Sequence, residues 1–214
     1  MGLGNGSSEK VTYVRMMGLK QEETEVYFAK NVKKDGNWTT EGNFKDLEGQ
    51  LKSVKFESKE TEKWGTIHTC KVEIVDDQTY VLDIPLGASL GRSIVNSLAS
   101  KEKADLIKIS LYINKSGYKS AWIELDGEAA KWVLSIDDQK ALTTEIKDPD
   151  TGKVEKRKYT KLISKLQEMC NIQGNANAKP TVSFEQAATE LDEHMNATYN
   201  TQTPAEWEES DLPF

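Results

Sequence analysis

Residues 68–99 read HTCKVEIVDDQTYVLDIPLGASLGRSIVNSLA, and their patterning sets the fold class. His68, Cys70, Val72 and Ile74 alternate with Thr69, Lys71 and Glu73, the period of two that marks a half-buried strand. Asp76-Asp77-Gln78 is a tight turn, after which Tyr80, Leu82 and Ile84 resume the alternation until Pro85 and Gly87 stop it. The period then changes. Leu90, Ile94, Val95 and Leu98 recur at helical spacing, which predicts one helix over roughly Ser89 to Ala99.

Strand signals surround this unit on both sides. Upstream, Val26 and Phe28 alternate with polar residues before a Lys33–Asn37 turn. Gly49–Glu57 puts Leu51 on one face and Val54 and Phe56 on the other, a phase change that predicts a bulge or strong coiling. Downstream, strands are predicted at Leu106–Ile113, Lys119–Leu125 and Ala129–Ser135, broken by Lys115-Ser116-Gly117 and Asp126-Gly127. Thr143–Thr160 reads as a hairpin with its tip at Asp148-Pro149-Asp150-Thr151-Gly152, where Pro and Gly suit the turn. Leu162, Ile163, Leu166 and Met169 form a short closing helix.

Strands that meander around a single helix predict a mainly β fold: an OB-like antiparallel β-barrel with one inserted helix and an added β-hairpin, over residues 11–170. Another antiparallel barrel or a sandwich is the alternative. The Gly/Ser-rich residues 1–10 predict a flexible N-terminus. Residues 171–214 read as a linker and an acidic C-terminal tail, with a lone helix over Phe184–Met195 and disorder from Asn196 onward.

The net charge of -7 hides an asymmetry. Residues 180–214 hold eight acidic residues and no Lys or Arg. Residues 1–179 hold the other 27 acidic residues and all 28 basic ones, so the body is near neutral and has room for a basic face. Such a split marks an interaction tail.

Several function classes have no support in the chain. No run of about 18 apolar residues occurs, so no membrane association is predicted. The start, MGLGNGSSEK, has no apolar h-region, and a cytoplasmic location is expected. Cys70, Cys170, His68 and His194 fall short of a zinc or disulfide framework. Gly87-Ala88-Ser89-Leu90-Gly91-Arg92-Ser93 lacks the spacing and Lys of a phosphate loop. Asp148–Asp150 begins like a calcium loop, but Lys and Val occupy the later ligand positions. No cofactor, no metal and no catalytic residue are predicted.

Sequence-tolerant binding of a single nucleic-acid strand needs rings for the bases and cations for the phosphates. The candidate rings are Trp38 in a polar hairpin, Trp64 before Gly65, Tyr118 at a strand turn and Tyr159 after Lys156-Arg157-Lys158. The candidate cations are Lys33, Lys34, Lys63, Lys115, Lys119, Lys156, Arg157 and Lys158. Trp122 and Trp132, in apolar strand surroundings, are assigned to the core.

The chain ends Trp207-Glu208-Glu209-Ser210-Asp211-Leu212-Pro213-Phe214. This ending resembles the acidic tip of bacterial single-stranded DNA-binding proteins, which close on an Asp-rich stretch and Ile-Pro-Phe; Leu212 stands where they have Ile. The plan of body, linker and acidic tail resembles the single-stranded DNA-binding proteins of tailed bacteriophages. The close match covers the last six to eight residues, and the body is longer than a bacterial OB core. The resemblance implies a protein that coats single-stranded DNA in replication, recombination and repair. It also implies that Glu208, Glu209, Asp211, Leu212, Pro213 and Phe214 recruit partner proteins. If the protein is phage-encoded, its location is the host cytoplasm. Homo-oligomerisation, RNA in place of DNA, and an adaptor docking through its tail stay open.

Overall fold

The alternation at 68–74 becomes one rung of a long ladder. The computed structural model describes residues 11–179, except 21, 36, 63, 64 and 150 and the side chains of residues 155 and 156. The N-terminal segment 1–10, the 184–195 helix and the acidic tail therefore lie outside the described residues.

The elements in chain order are β1 (Val11–Met17), β2 (Tyr27–Lys34), β3 (Asn37–Phe44), β4 (Asp46–Thr61), β5 (Gly65–Val75) and β6 (Thr79–Pro85). They continue with α1 (Ser89–Leu98), β7 (Leu106–Ile113), β8 (Lys119–Leu125), β9 (Glu128–Ala129) and α2 (Ile136–Ala141). The hairpin β10 (Thr144–Lys147) and β11 (Val154–Lys158) and the helix α3 (Thr160–Met169) follow. Nine strands make one sheet in the order β3-β2-β1-β6-β5-β4-β7-β8-β9, and β10–β11 stand apart as a two-stranded sheet.

The fold is mainly β, as the sequence predicts, but the large sheet is mixed and open rather than a closed antiparallel barrel. Both edges that closure would join are already occupied. β1 runs parallel to β6 and takes its outer edge, with Val14 opposite Leu82 and Arg15 opposite Asp83. The far edge of β8 takes the two residues of β9.

The predicted phase change in β4 is a bulge. The register shifts between Leu51 and Ser53, with Leu51 opposite Ile74, Val54 opposite Val72 and Phe56 opposite Cys70. One extra residue, Lys52, thus returns Leu51, Val54 and Phe56 to the same inner face, rather than to opposite faces. The bulge also ties in the residue before β7 and the chain after α3. Leu51 N–H donates to the Asp105 carbonyl at 2.9 Å, and the Leu51 carbonyl accepts from Asn175 N–H at 2.7 Å. Ile172 and Ala178 are buried, so the packed body continues through residues that read as a linker.

The core lies between the inner face of the sheet and two helices. Leu51, Val72, Ile74, Leu82 and Ile84 from the strands meet Ile94, Val95 and Leu98 of α1 and Leu162 and Leu166 of α3. Fully burying each such side chain contributes about 1.5–3 kcal/mol. α1 approaches the end of β6 closely because position 91 is Gly: a Cβ there would lie 2.2 Å from the Pro85 carbonyl oxygen. The stretch that invited a phosphate-loop reading is therefore a strand-to-helix turn, and its cation is used internally. Arg92 donates to the carbonyls of Leu86 and Gly87 at 2.9 and 2.8 Å.

The strand predicted at Ala129–Ser135 does not form. After β9 the chain is held by Asn96, which is fully buried on α1. Its side-chain oxygen accepts from Val133 and Leu134 N–H at 3.1 and 2.8 Å, and its amide donates to the Leu134 carbonyl at 2.8 Å. One side chain thus satisfies backbone groups that a neighbouring strand would otherwise pair. α2 then starts at a capping box: the Ser135 hydroxyl accepts from Asp138 N–H, and the Asp138 carboxylate accepts from Ser135 N–H.

Candidate nucleic-acid interface

Because Val14, Val72, Leu82 and Leu51 point inward, their sequence neighbours form an outer face across β4, β5, β6 and β1. One row of that face is fixed by register. Lys55 lies opposite Lys71, Lys71 opposite Asp83, and Asp83 opposite Arg15. Three cations therefore share a row with one carboxylate. Lys71 is ion-paired with Glu57 at 2.6 Å, and that hydrogen bond raises its pKa above the ordinary lysine value. Asp83 Oδ1 is buried without a hydrogen-bond partner among the described residues.

The face continues as two adjoining grooves that share Arg15 and Asp83. One runs past Lys71, Thr69, Ile67 and Lys59 toward the β4–β5 turn. The other runs past Tyr13, Asn31 and Thr40 to Trp38. Trp38 lies opposite Lys33 on the β2–β3 hairpin and is 67% exposed, so its indole is presented to solvent. A string of half-exposed rings and cations along one strand face can stack bases and neutralise phosphates.

The β4–β5 and β7–β8 hairpin turns carry further candidates. Lys63 and Trp64 belong to the β4–β5 turn and lie outside the described residues. The β7–β8 turn carries Lys115, Tyr118 and Lys119. The Asn114 side chain shapes it by accepting from Ser116 and Tyr118 N–H at 3.0 and 2.9 Å. Tyr118 is 71% exposed, while Lys119 donates to the Lys20 carbonyl and ties the β1–β2 connection to β8.

Other candidates are committed elsewhere. Lys34 is ion-paired with Glu41. Arg157 is ion-paired with Glu145 at 3.1 Å on the β10–β11 hairpin. Lys158 is exposed on the same hairpin, and the side chain of Lys156 lies outside the described set. The Tyr159 ring lies 3.7 Å from the Arg92 guanidinium and faces a separate cavity, not the Trp38 groove.

Two assignments to the core are corrected. Trp122 is 50% exposed on the outer side of β8, where its Nε1–H donates to Glu124 at 2.9 Å. Ile123 and Leu125 take the inward positions of that strand. Trp132 is 49% exposed because the Asn96 clamp turns Leu134 inward instead. Tyr13 and Arg15 were missed as site residues. The alternation of Val14 and Met16 with Tyr13 and Arg15 was the available signal.

No protein-family model, curated protein or solved structure matches the chain. Among the described residues, no helix is long and apolar enough to cross a membrane.

Proposed function

We propose that this is a non-enzymatic single-stranded DNA-binding protein that holds its strand along the outer face of β1, β6, β5 and β4. The observation that carries this is the row of Lys55, Lys71 and Arg15. Like charges directly opposite in a sheet destabilise it, and a bound phosphate chain turns that cost into affinity. Tyr13 and Trp38 supply rings for the bases.

The OB-type reading of the body belongs with this proposal. The order β6-β5-β4-β7-β8, with a long shared β4 and a helix between β6 and β7, fits a five-stranded, partly open barrel. Its second and third strands would be β5 and β6. The loops flanking the ligand face would be the β4–β5 and β7–β8 turns, which bear Lys63, Trp64, Lys115 and Tyr118. β1, β2 and β3 extend that face. The acidic end, from Glu208 to Phe214, recruits replication and recombination partners in this scheme, and its charge restrains binding of other polyanions.

Trp38→Ala tests the path. Removing a base-stacking ring costs about 1–3 kcal/mol per base, so affinity for oligo-dT should fall at least fivefold while far-ultraviolet circular dichroism stays unchanged. Equal affinity would remove the β2–β3 hairpin from the path. Competition between oligo-dT and oligo-U reads the preference for DNA over RNA.

A further inference from the structure

One cavity lies apart from the outer face. It encloses about 790 Å³ between α1, α2, α3 and the β10–β11 hairpin, in the range of about 300–1,000 Å³ typical of ligand sites. Arg92, Lys140, Lys147 and Arg157 line it, against the single carboxylate of Glu145. Two rings, Trp132 and Tyr159, line it as well. Arg92 is 94% buried (6% exposed), bonded to two backbone carbonyls and stacked on Tyr159, so the wall it forms with that ring is rigid. The half-exposed face of Trp132 has no comparable partner among the described residues.

The cavity is also close to the outer face along the chain. Pro85 lines the groove that contains Arg15 and Lys71, and the next two residues, Leu86 and Gly87, supply the carbonyls that hold Arg92. The turn at 85–87 thus joins a residue of the groove to the carbonyls that hold Arg92.

We infer that this cavity is a second segment of the strand path, taking unstacked nucleotides that pass the 85–87 turn; this rests on the function proposed above. Trp132 stacks a base and Lys147 faces the phosphates, while Arg157 stays paired with Glu145. Nucleic acid is favoured over an acidic peptide because it uses the indole face and Lys147 together.

The experiment titrates the full chain and its Trp132→Ala variant with oligo-dT of about 6 and about 20 nucleotides, lengths that bracket the usual site sizes of OB domains. The longer strand should bind the variant about fivefold or more weakly, and the shorter strand should bind both proteins within about twofold. Lys147→Gln, at an exposed position, gives a second readout: its salt slope on the longer strand should fall by about 0.7, with no change on the shorter one. Unchanged binding of the longer strand by both variants overturns the inference. If Trp132→Ala instead abolishes binding of a peptide of residues 204–214, the cavity is a peptide site. Failure of the unmodified protein to bind either length overturns the proposed function itself, and so is told apart from failure of the cavity alone.

Discussion

Lys55 and Lys71 stand directly opposite each other in the β4–β5 ladder. Lys71 has Glu57 at 2.6 Å as an ion partner, yet Glu57 itself lies two positions along β4, opposite Thr69. Asp83 faces Lys71 and Arg15 across the other two pairs of the row, so the repulsion is confined to Lys55 and Lys71, where an opposite-charge pair would be worth about 0.2–1 kcal/mol.

Lys55→Glu should therefore move stability and binding in opposite directions. The melting temperature should hold or rise, because a cross-strand ion pair replaces a repulsion. Oligo-dT affinity should fall, and the salt slope should drop by at least about 0.7 with the loss of one phosphate contact. A fall in both stability and affinity would mean that the residue supports the fold instead.

Asn96→Ala should be strongly destabilising. It strands the Leu134 N–H and leaves Val133 N–H to the Asn96 backbone carbonyl and the Leu134 carbonyl to Gln139. With one buried group costing about 1–3 kcal/mol when unpaired, a loss of about 2 kcal/mol is expected in urea unfolding. A loss under about 1 kcal/mol would show that water takes over the clamp.

Gly174→Ala should destabilise by about 2 kcal/mol or more, since its Cβ would meet the Leu51 carbonyl oxygen at 2.2 Å and push Asn175 off the bulge. Gly87→Ala is the control. Nothing lies within 4 Å of its Cβ position, and the change should stay within about 0.5 kcal/mol. Equal effects at both positions would contradict the contact between residue 174 and β4.

Both thiols are buried, and burial raises the pKa of each: Cys170 to about 11 and Cys70 well above the ordinary 9.0. The unfolded chain then releases these protons at lower pH than the folded one. Their contribution to stability is full below pH 9.0 and is lost as pH rises through the folded values. Unfolding free energy should decline from about pH 9 upward in the wild type, and less steeply in Cys170→Ala relative to its own neutral-pH value. A disulfide-exchange reagent should label neither cysteine at pH 8 without denaturant. Rapid labelling of Cys70 would place it nearer the surface than the core described above.

The parts of the fold set by local periodicity were legible in the chain. The β5–β6 hairpin, α1, the bulge in β4 and the β10–β11 hairpin follow from alternation, helical spacing and turn residues. What escaped was set by contacts distant in sequence. The parallel β1–β6 pairing joins segments about 70 residues apart, and nothing local in Val11–Met17 announces it. Trp132 turned outward because Asn96, 36 positions earlier, fixed Leu134. The exposure of Trp38 and Tyr118 was legible because rings set among polar residues beside Lys are visible in sequence. Tyr13 and Arg15 needed the partner strand to place them on one face with Lys71.

The most direct measurement is a titration of the full chain with oligo-dT at two salt concentrations, paired with the same titration of a Lys55→Gln, Lys71→Gln double variant. Tight binding that weakens as salt rises is expected, with a slope near 0.7 per contacted phosphate that falls by about 1.4 in the double variant. Binding that ignores salt, or a slope that the double variant leaves intact, would contradict a nucleic-acid path along the outer face of β4 and β5.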